Sequence, residues 1–415
     1  MQVWFIHHYA SLPTHSGFLR PYYFAKYLKE YGIQCTIFAS SFLHFSNRNL
    51  IKQEDKNCYD ELYEGIKFKY VKSSNYRGNS ISRLINIFTF TLNVIRIGKK
   101  QIEKPDVIIS SSPHILSLFA GFILAKYYKC KNFIEIRDLW PQSFIPNLFS
   151  ERSLIAKVLY IVESFFMVKA DKIIFTQEGG SEYVKKYKKK LIVKGKINLK
   201  NIYYINNGID FNVFLKNKNN YYYHDSEYNK CEYFKVVYMG SIRFDNDVLK
   251  IVECAKLLLV DYPKIKIFIF GDGNYLNEIH KYCEIYKLDN VYLRGRVKRE
   301  YVPSILANSN LVLLNYRKMS IWKYGSSQNK LFEYLASGKP ILCNVKLGYS
   351  ILKKYNCGID SDIIAPSDYK DYIIKFYNMD NYDYNKICSN SLETAKKFDY
   401  SILTKKLNEL LIDCI

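Results

Sequence analysis

The sequence is poor in acid, in arginine and in proline, and it has no long apolar run. Each shortage closes off a class of protein. No hydrophobic stretch approaches the ~18 residues that a membrane-spanning helix needs; the best, residues 116–125, has about half that length. At the N-terminus the apolar stretch opens at Val3 with no charged residue before it and breaks at His7 and His8, unlike a secretory leader. The expected compartment is therefore the cytoplasm. Ten cysteines are scattered singly, with no Cys-x-x-Cys pair, which argues against a disulfide framework and a zinc site. With 18 Gly and 10 Pro in 415 residues, no collagenous or low-complexity stretch is expected.

What is abundant is positive charge. Lysine and arginine total 61 against 39 Asp and Glu, a net charge of +22. Such a surface attracts polyanions: nucleic acid, anionic lipid or phosphorylated substrates. Only 12 of the 61 are Arg and 49 are Lys, whereas base reading and tight phosphate forks favour Arg. No nucleic-acid partner is expected. Hydrophobic residues make up 48% and charged ones 24%, a globular balance, and the length fits two or three domains.

Short β-branched or aromatic runs alternate with longer amphipathic ones. Residues 3–6, 34–39, 66–71, 106–110, 133–136 and 172–176 read as strands in the first half. In the second half they are 235–239, 265–270, 291–293, 311–314 and 340–343. Helical patterns fill the gaps, including 19–31, which should stop at Gly32. The alternation predicts an α/β chain with parallel sheets covered by helices on both faces. Two Rossmann-like halves would face a cleft, with ligands at the carboxyl ends of the strands. We expect an N-terminal domain over 1–200, a C-terminal domain over 201–390, and a helix in 391–415 that packs back on the first. Residues 183–209 hold eight Lys and no acid and read as a solvated loop.

The densest chemistry lies in 324–341. A small Gly325-Ser326-Ser327 loop leads into a helix, so free backbone N–H groups and the positive end of the helix dipole suit a phosphate. Lys330 in the first turn opposes that dipole unless it reaches a diphosphate held by the same N–H groups. Glu333, three residues on, shares its face, and a carboxylate there can accept both hydroxyls of a ribose. The spacing equally describes an ordinary surface pair. Gly271-Asp272-Gly273 allows close backbone approach, for a ligand or for a tight turn. Asp245-Asn246-Asp247 has a metal-binding spacing but sits where a helix N-cap belongs, and we read it as a cap. His8 and His114 each follow a strand at the expected cleft edge, where polar binding roles are open to them. Glu135-Ile136-Arg137-Asp138 places three charges at a strand end, costly unless paired or functional.

Taken in chain order, these pieces form a pattern. It comprises His7-His8-Tyr9-Ala10 with Gly17, Ala39-Ser40-Ser41, Ser111-Ser112-Pro113-His114 and Glu135-Ile136-Arg137-Asp138-Leu139-Trp140-Pro141. Asn207-Gly208-Ile209-Asp210, Tyr238-Met239-Gly240, Gly271-Asp272-Gly273 and Tyr324 through Pro340 complete it. The pattern resembles glycosyltransferase family 4, with the GT-B fold. The Arg-Asp-Leu-Trp-Pro and Asn-Lys-Leu-Phe-Glu-Tyr strings resemble the branch that builds O-antigen and capsule oligosaccharides on a lipid carrier, including N-acetyl-L-fucosamine transferases. There are departures. Of two Glu spaced eight apart in the family's donor helix, Glu333 is the second and Gly325 replaces the first. The family's Gly-Arg…Lys diphosphate clamp is missing: Ser241 follows Gly240, and the nearest cation is Arg243. A family His aligns with Arg137.

The resemblance implies a retaining glycosyltransferase that needs no metal or other cofactor. Its donor would be a UDP-sugar carrying an N-acetylated amino sugar. Its acceptor would be a sugar on an undecaprenyl pyrophosphate-type lipid, met at the inner face of the plasma membrane. In that reading Asp138 and Arg137 sit where acceptor hydroxyl and donor phosphate meet. Lys330 and the N–H groups of Ser326, Ser327 and Gln328 take the diphosphate, with Arg243 a weaker second cation. Glu333 grips the ribose, and Arg296 and Val297 meet the base. Gly17, Gly271, Gly273 and Asn329 also belong to the donor site, and His8, His114 and Glu135 to the acceptor site. Two alternatives stay open: a sugar-nucleotide epimerase on the same fold, or a non-enzymatic polyanion-binding protein.

A membrane contact is also expected at 80–100. Leu84, Ile87, Phe88, Leu92 and Ile95 recur at helical spacing, and Phe90, Val94 and Ile97 widen the apolar face. Arg83, Arg96, Lys99 and Lys100 flank them, with no acid. That composition fits a helix in an anionic interface, and also a helix buried against a sheet.

Overall fold

The computed structural model describes residues 1–15, 17–53, 56–78, 81–112, 114–143, 150 and 152–414. Ser80 and Pro113, both part of the patterns above, lie outside the described residues. The chain divides into two compact units, Met1–Asn206 with Tyr400–Ile415, and Asn207–Asp399.

Unit 1 is built on β1 (Gln2–Ile6), β2 (Gln34–Ser40), a small β3–β4 hairpin (Phe42–Leu43, Arg48–Asn49), β5 (Cys58–Tyr63) and β6 (Ile66–Val71). It continues with β7 (Val107–Ser111), β8 (Lys131–Ile136), β9 (Lys172–Phe175) and β10 (Ile202–Tyr204). The main sheet runs β10-β9-β8-β7-β1-β2-β6-β5, parallel throughout except where β5 pairs antiparallel with β6. Sequence reading passed over β5 because its residues alternate between water and sheet instead of forming an apolar run. Helices α1 (Arg20–Leu28), α2 (Ile81–Gly98), α3 (Ile115–Tyr128) and α4 (Leu154–Lys169) connect the strands. The α1 segment tightens into a 3-10 turn and stops at Gly32, whose φ of 73° is the left-handed cap that glycine favours. The returning helix Tyr400–Ile412 packs on this unit: Tyr400 stacks on Tyr23 at 4.7 Å, and Lys172 Nζ donates to the Leu410 carbonyl at 2.9 Å.

Two expectations need correction here. Phe90, Val94 and Ile97 do not widen an exposed face; they are core, packed with Trp4, Ile6 and Phe38 from the sheet and Leu124 from α3. Nor is 183–209 a loop. It forms helices Gly180–Tyr187 and Lys189–Val193 and then β10, and one of its lysines is internal. Lys188 lies 2.5 Å from Glu163, both buried, and burial pushes the Glu163 carboxyl up to about 7.

Unit 2 holds β11 (Phe234–Met239), β12 (Ile265–Phe270), β13 (Val291–Gly295), β14 (Leu311–Leu314), β15 (Ile341–Cys343) and β16 (Gly358–Asp360). All are parallel, in the order β13-β12-β11-β14-β15-β16. The central strands β11, β12, β14 and β15 are almost wholly buried, with Val236, Ile267, Ile269 and Leu313 sealed by the helices Val248–Leu258 and Pro366–Tyr377, while the edge strand β13 is half-buried. The winding reverses between β11 and β14 here, and between β1 and β7 in unit 1. In such sheets ligands bind beyond the carboxyl ends of the strands at that reversal.

Candidate functional site

At the reversal of unit 2, the strand ends are stitched together by backbone. Gly240 N–H donates to Phe270 O at 2.9 Å, Gly271 N–H to Gly295 O at 2.8 Å, and Ile242 N–H to Asp272 O at 2.9 Å. A Cβ on Gly271 would stand 1.8 Å from Gly240 O, and one on Gly273 would stand 2.1 Å from Ile242 O. The two glycines are therefore required by loop-on-loop packing, the tight-turn reading of that motif. Beyond β14, Gly325 (φ 98°) turns the chain into the helix Asn329–Ala336, whose N-cap Gln328 supplies no side-chain cap. Asn207 braces this loop: its N–H donates to Ser327 Oγ at 3.1 Å, and its amide donates to Ser327 O at 2.5 Å. Asp210 of the same motif caps the helix Phe211–Asn220 through Val213 N–H at 3.0 Å. Tyr334 locks the Asn329–Ala336 helix to the end of β11, bonding both N–H and C=O of Met239.

Lys330 rises from the first turn of that helix. Its Nζ lies 4.9 Å from the ring centroids of both Tyr238, in β11, and Tyr316, just after β14. It thus sits between the two strands that flank the reversal. Burial lowers its ammonium to about 8, with no carboxylate opposing the shift. The hydroxyls of Tyr316 and Ser326 are buried beside each other, with no other hydrogen-bond partner among the described residues. Glu333, one turn on, stands 3.5 Å from Arg299, a residue the sequence reading missed. Burial raises the Glu333 carboxyl and Arg299 pulls it down. The one signal for Arg299 was the cluster Arg294, Arg296, Lys298 and Arg299 at a strand end. Arg296 is exposed and Val297 half-buried just past Gly295. Arg243 is exposed before the 3-10 turn Phe244–Asn246. Asp247 takes the N-cap position of helix Val248–Leu258 but does not cap it. Its backbone is left-handed (φ 48°), and its carboxylate pairs with Lys250 at 2.9 Å.

Unit 1 finishes its strand ends differently. Glu135 is buried at the end of β8 and accepts from Arg20 Nε at 3.0 Å. Arg20 also donates to the carbonyls of Ile205, at 2.8 Å, and Asn206. Arg137 packs 4.7 Å over the Phe18 ring, bonds His7 Nε2, and has its Nε 4.0 Å from Glu135. Burial and Arg137 together hold the His7 imidazole neutral, so its Nε2 can accept. The Asp138 side chain reaches solvent; enclosure by its neighbours raises its carboxyl and Arg137 opposes that. His114 caps α3 by accepting Ser117 N–H at its Nδ1, and its Nε2 lies 2.7 Å from His8 Nδ1. That fixes the tautomers: His114 Nε2–H donates to His8 Nδ1, so His8 carries its own proton on Nε2. Burial holds both rings neutral, His114 down to about 3. Gly17 lies in the loop after β1, where a Cβ would meet Ser11 Oγ at 2.2 Å. Arg83 of α2, expected among the cations flanking a membrane-facing helix, donates to Tyr9 Oη at 3.0 Å.

Comparison with known proteins fits this geometry. The sheets are those of the GT-B glycosyltransferase fold, with two Rossmann-like units. HepE of Anabaena, in complex with UDP and glucose, superposes with a TM-score of 0.65 at 15% identity over 99% of each chain. Residues 224–394 match the family model described as Glycosyl transferases group 1. An uncharacterized glycosyltransferase of Methanocaldococcus jannaschii is 24% identical over 242 residues, 58% of this chain and 55% of the relative. TuaH of Bacillus subtilis, named for teichuronic acid biosynthesis, is 27% identical over 228 residues, 54% of this chain and 53% of the relative. The chain thus spans about half the length of these curated relatives.

Proposed function

We propose that the protein is a retaining glycosyltransferase. In this reading it moves an N-acetylated amino sugar from UDP to a lipid-pyrophosphate-linked sugar, in surface-polysaccharide synthesis at the inner face of the plasma membrane. The observation that carries the proposal is Lys330: a cation half-buried among tyrosine rings at the reversal of unit 2, with no acid answering it among the described residues. A buried charge without a counter-charge is costly, and a diphosphate relieves that cost. As the anomeric C–O bond breaks, charge gathers on the leaving diphosphate. A preset ammonium and the N–H groups of Ser326 to Gln328 stabilise it without reorganising. Glu333 accepts the ribose hydroxyls. Gly325, lacking the carboxylate that would grip sugar hydroxyls, is in keeping with an acetamido sugar. Arg137, held by His7 and Phe18, and Asp138 serve the acceptor hydroxyl. In a retaining reaction the leaving phosphate oxygen takes the acceptor proton, so Asp138 need not be a strong base. No metal enters this scheme. The UDP complex of HepE and the name of TuaH support the donor and the polymer class.

The test is a thermal-shift panel of nucleoside diphosphates and their sugars, since a ligand of the folded state raises its melting temperature. We expect UDP and UDP-N-acetylhexosamines to stabilise the wild type and to do so far less in Lys330→Ala. Absence of any nucleotide shift in the wild type, or an equal shift in the mutant, overturns the reading.

A further inference from the structure

Helices α2, α3 and α4 lie side by side on one face of the unit 1 sheet, α3 touching both neighbours, with Phe122 edge-on to Phe165 at 5.4 Å. Their inner residues are core. Their outer residues are apolar too, which is abnormal for surface helices. The three helices have 18, 14 and 16 residues of the 415, yet they bear twelve of the 31 large hydrophobic side chains exposed among the described residues. Phe88 and Leu92 on α2, Phe119 on α3, and Ile155 and Ile161 on α4 are examples. A continuous patch of that kind marks an interaction surface.

Charge decides what the partner is. Neither α2 nor α3 contains an acid, and the one acid of α4, Glu163, is buried against Lys188. On the helices themselves the exposed charges, Arg96, Lys126, Lys157 and Lys169, are all positive; Lys99 and Lys100 follow α2, and Asp171 is an exposed acid just after α4. A second copy would set two cationic rims against each other. An anionic bilayer offers an apolar interior under a negative surface, complementary to both features. Among the described residues no helix is long and apolar enough to cross a membrane, so the contact is one of lying on the surface. We propose that the α2–α3–α4 face docks on an anionic membrane surface, with its apolar side chains entering the headgroup–acyl boundary. The proposal deepens the lipid-linked acceptor reading, and rests on it only for the reason to be there.

The experiment is co-sedimentation of the full chain, without donor or acceptor, with phosphatidylglycerol–phosphatidylcholine vesicles and with phosphatidylcholine alone. Its failure therefore leaves the transferase reading intact. The variants are Phe88→Glu/Leu92→Glu on α2 and Ile155→Glu/Ile161→Glu on α4, with Val260→Glu, an exposed apolar site of unit 2, as control. Melting curves verify that all remain folded. Binding to the anionic vesicles should fall at least about tenfold in both double variants, stay unchanged in the control, and weaken with salt. Wild-type binding in both double variants overturns the proposal. So does equal binding to neutral vesicles. A wild-type dimer that the variants dissociate, with no vesicle binding, overturns it in favour of a second copy.

Discussion

Each sheet reverses its winding once, and the two reversals are finished in opposite ways. In unit 1 the groups at the strand ends answer one another: Glu135 with Arg20, Arg137 with His7, His8 with His114. In unit 2 the corresponding place holds Lys330 with aromatic rings for company, and two adjacent hydroxyls with no partner but each other among the described residues. The difference is one of charge: Glu135 and Arg20 pair in unit 1, although single atoms there such as His7 Nδ1 and Glu135 Oε1 have no hydrogen bond, whereas the Lys330 ammonium of unit 2 faces rings. A satisfied buried network contributes to unfolding free energy; an unsatisfied one contributes to ligand affinity.

The sharpest way to break that contrast is to remove the central cation of each reversal. Arg20→Met would leave Glu135 buried without its partner and two chain-crossing carbonyls without their donor. Loss of one partner from a buried pair costs about 3–5 kcal/mol, so the urea midpoint of unit 1 should drop steeply. A loss below about 1 kcal/mol would mean that the unit 1 network is not structural.

Lys330→Ala should behave in the other sense. Stability should hold or rise, while UDP affinity and kcat/KM fall about 10–100-fold, the worth of a charged hydrogen bond. The pH dependence follows from the direction of the shift. Burial lowers the ammonium to about 8, below the usual lysine range. The penalty for the buried charge is fully present below that value. It is relieved as pH rises from there toward the unfolded pKa of about 10.4, so this residue makes unit 2 more stable with rising pH. UDP affinity should fall over the same rise, because the neutral amine no longer attracts the diphosphate. Titration calorimetry at several pH values reads this directly. Lys330→Arg, which keeps its charge, should flatten the profile, and an unchanged slope would place the titrating group elsewhere.

How much of this was legible in the sequence depends on what each feature needs. Continuous apolar runs such as 311–314 announce buried parallel strands, because both faces are covered. The half-wet β5 makes no such signal. Lys330 and Glu333 could be paired by helical spacing, which is local. Tyr238 and Tyr316 could not be joined to them, because their meeting depends on β11 and β14 becoming neighbours through the winding order. In the lysine run 183–209 every residue looks solvated. Only the packing of helix Gly180–Tyr187 near α4 shows that Lys188 is the one that faces Glu163. The apolar surface was legible only in part: 80–100 reads as a helix for an anionic interface or for a buried position, and its continuation over α3 and α4 appears only when the three helices stand side by side.

The smallest expected effect tests the contrast from its quiet side. If Lys330 is the charge that meets the diphosphate, then Asp245-Asn246-Asp247 has no metal to hold. Asp247 is left with a half-buried i,i+3 pair to Lys250, worth about 0.2–0.5 kcal/mol. Its left-handed backbone, φ 48°, is a conformation that glycine adopts at no steric cost. Asp247→Gly should therefore shift the melting temperature by no more than a degree or so, with the lost ion pair and the relieved backbone opposing each other. Turnover should survive both this substitution and excess chelator. If turnover instead required magnesium or manganese and vanished in Asp247→Gly, the leaving group would be neutralised by a metal. Unit 2 would then carry an acidic site at its reversal, and Lys330 would no longer be its unanswered charge.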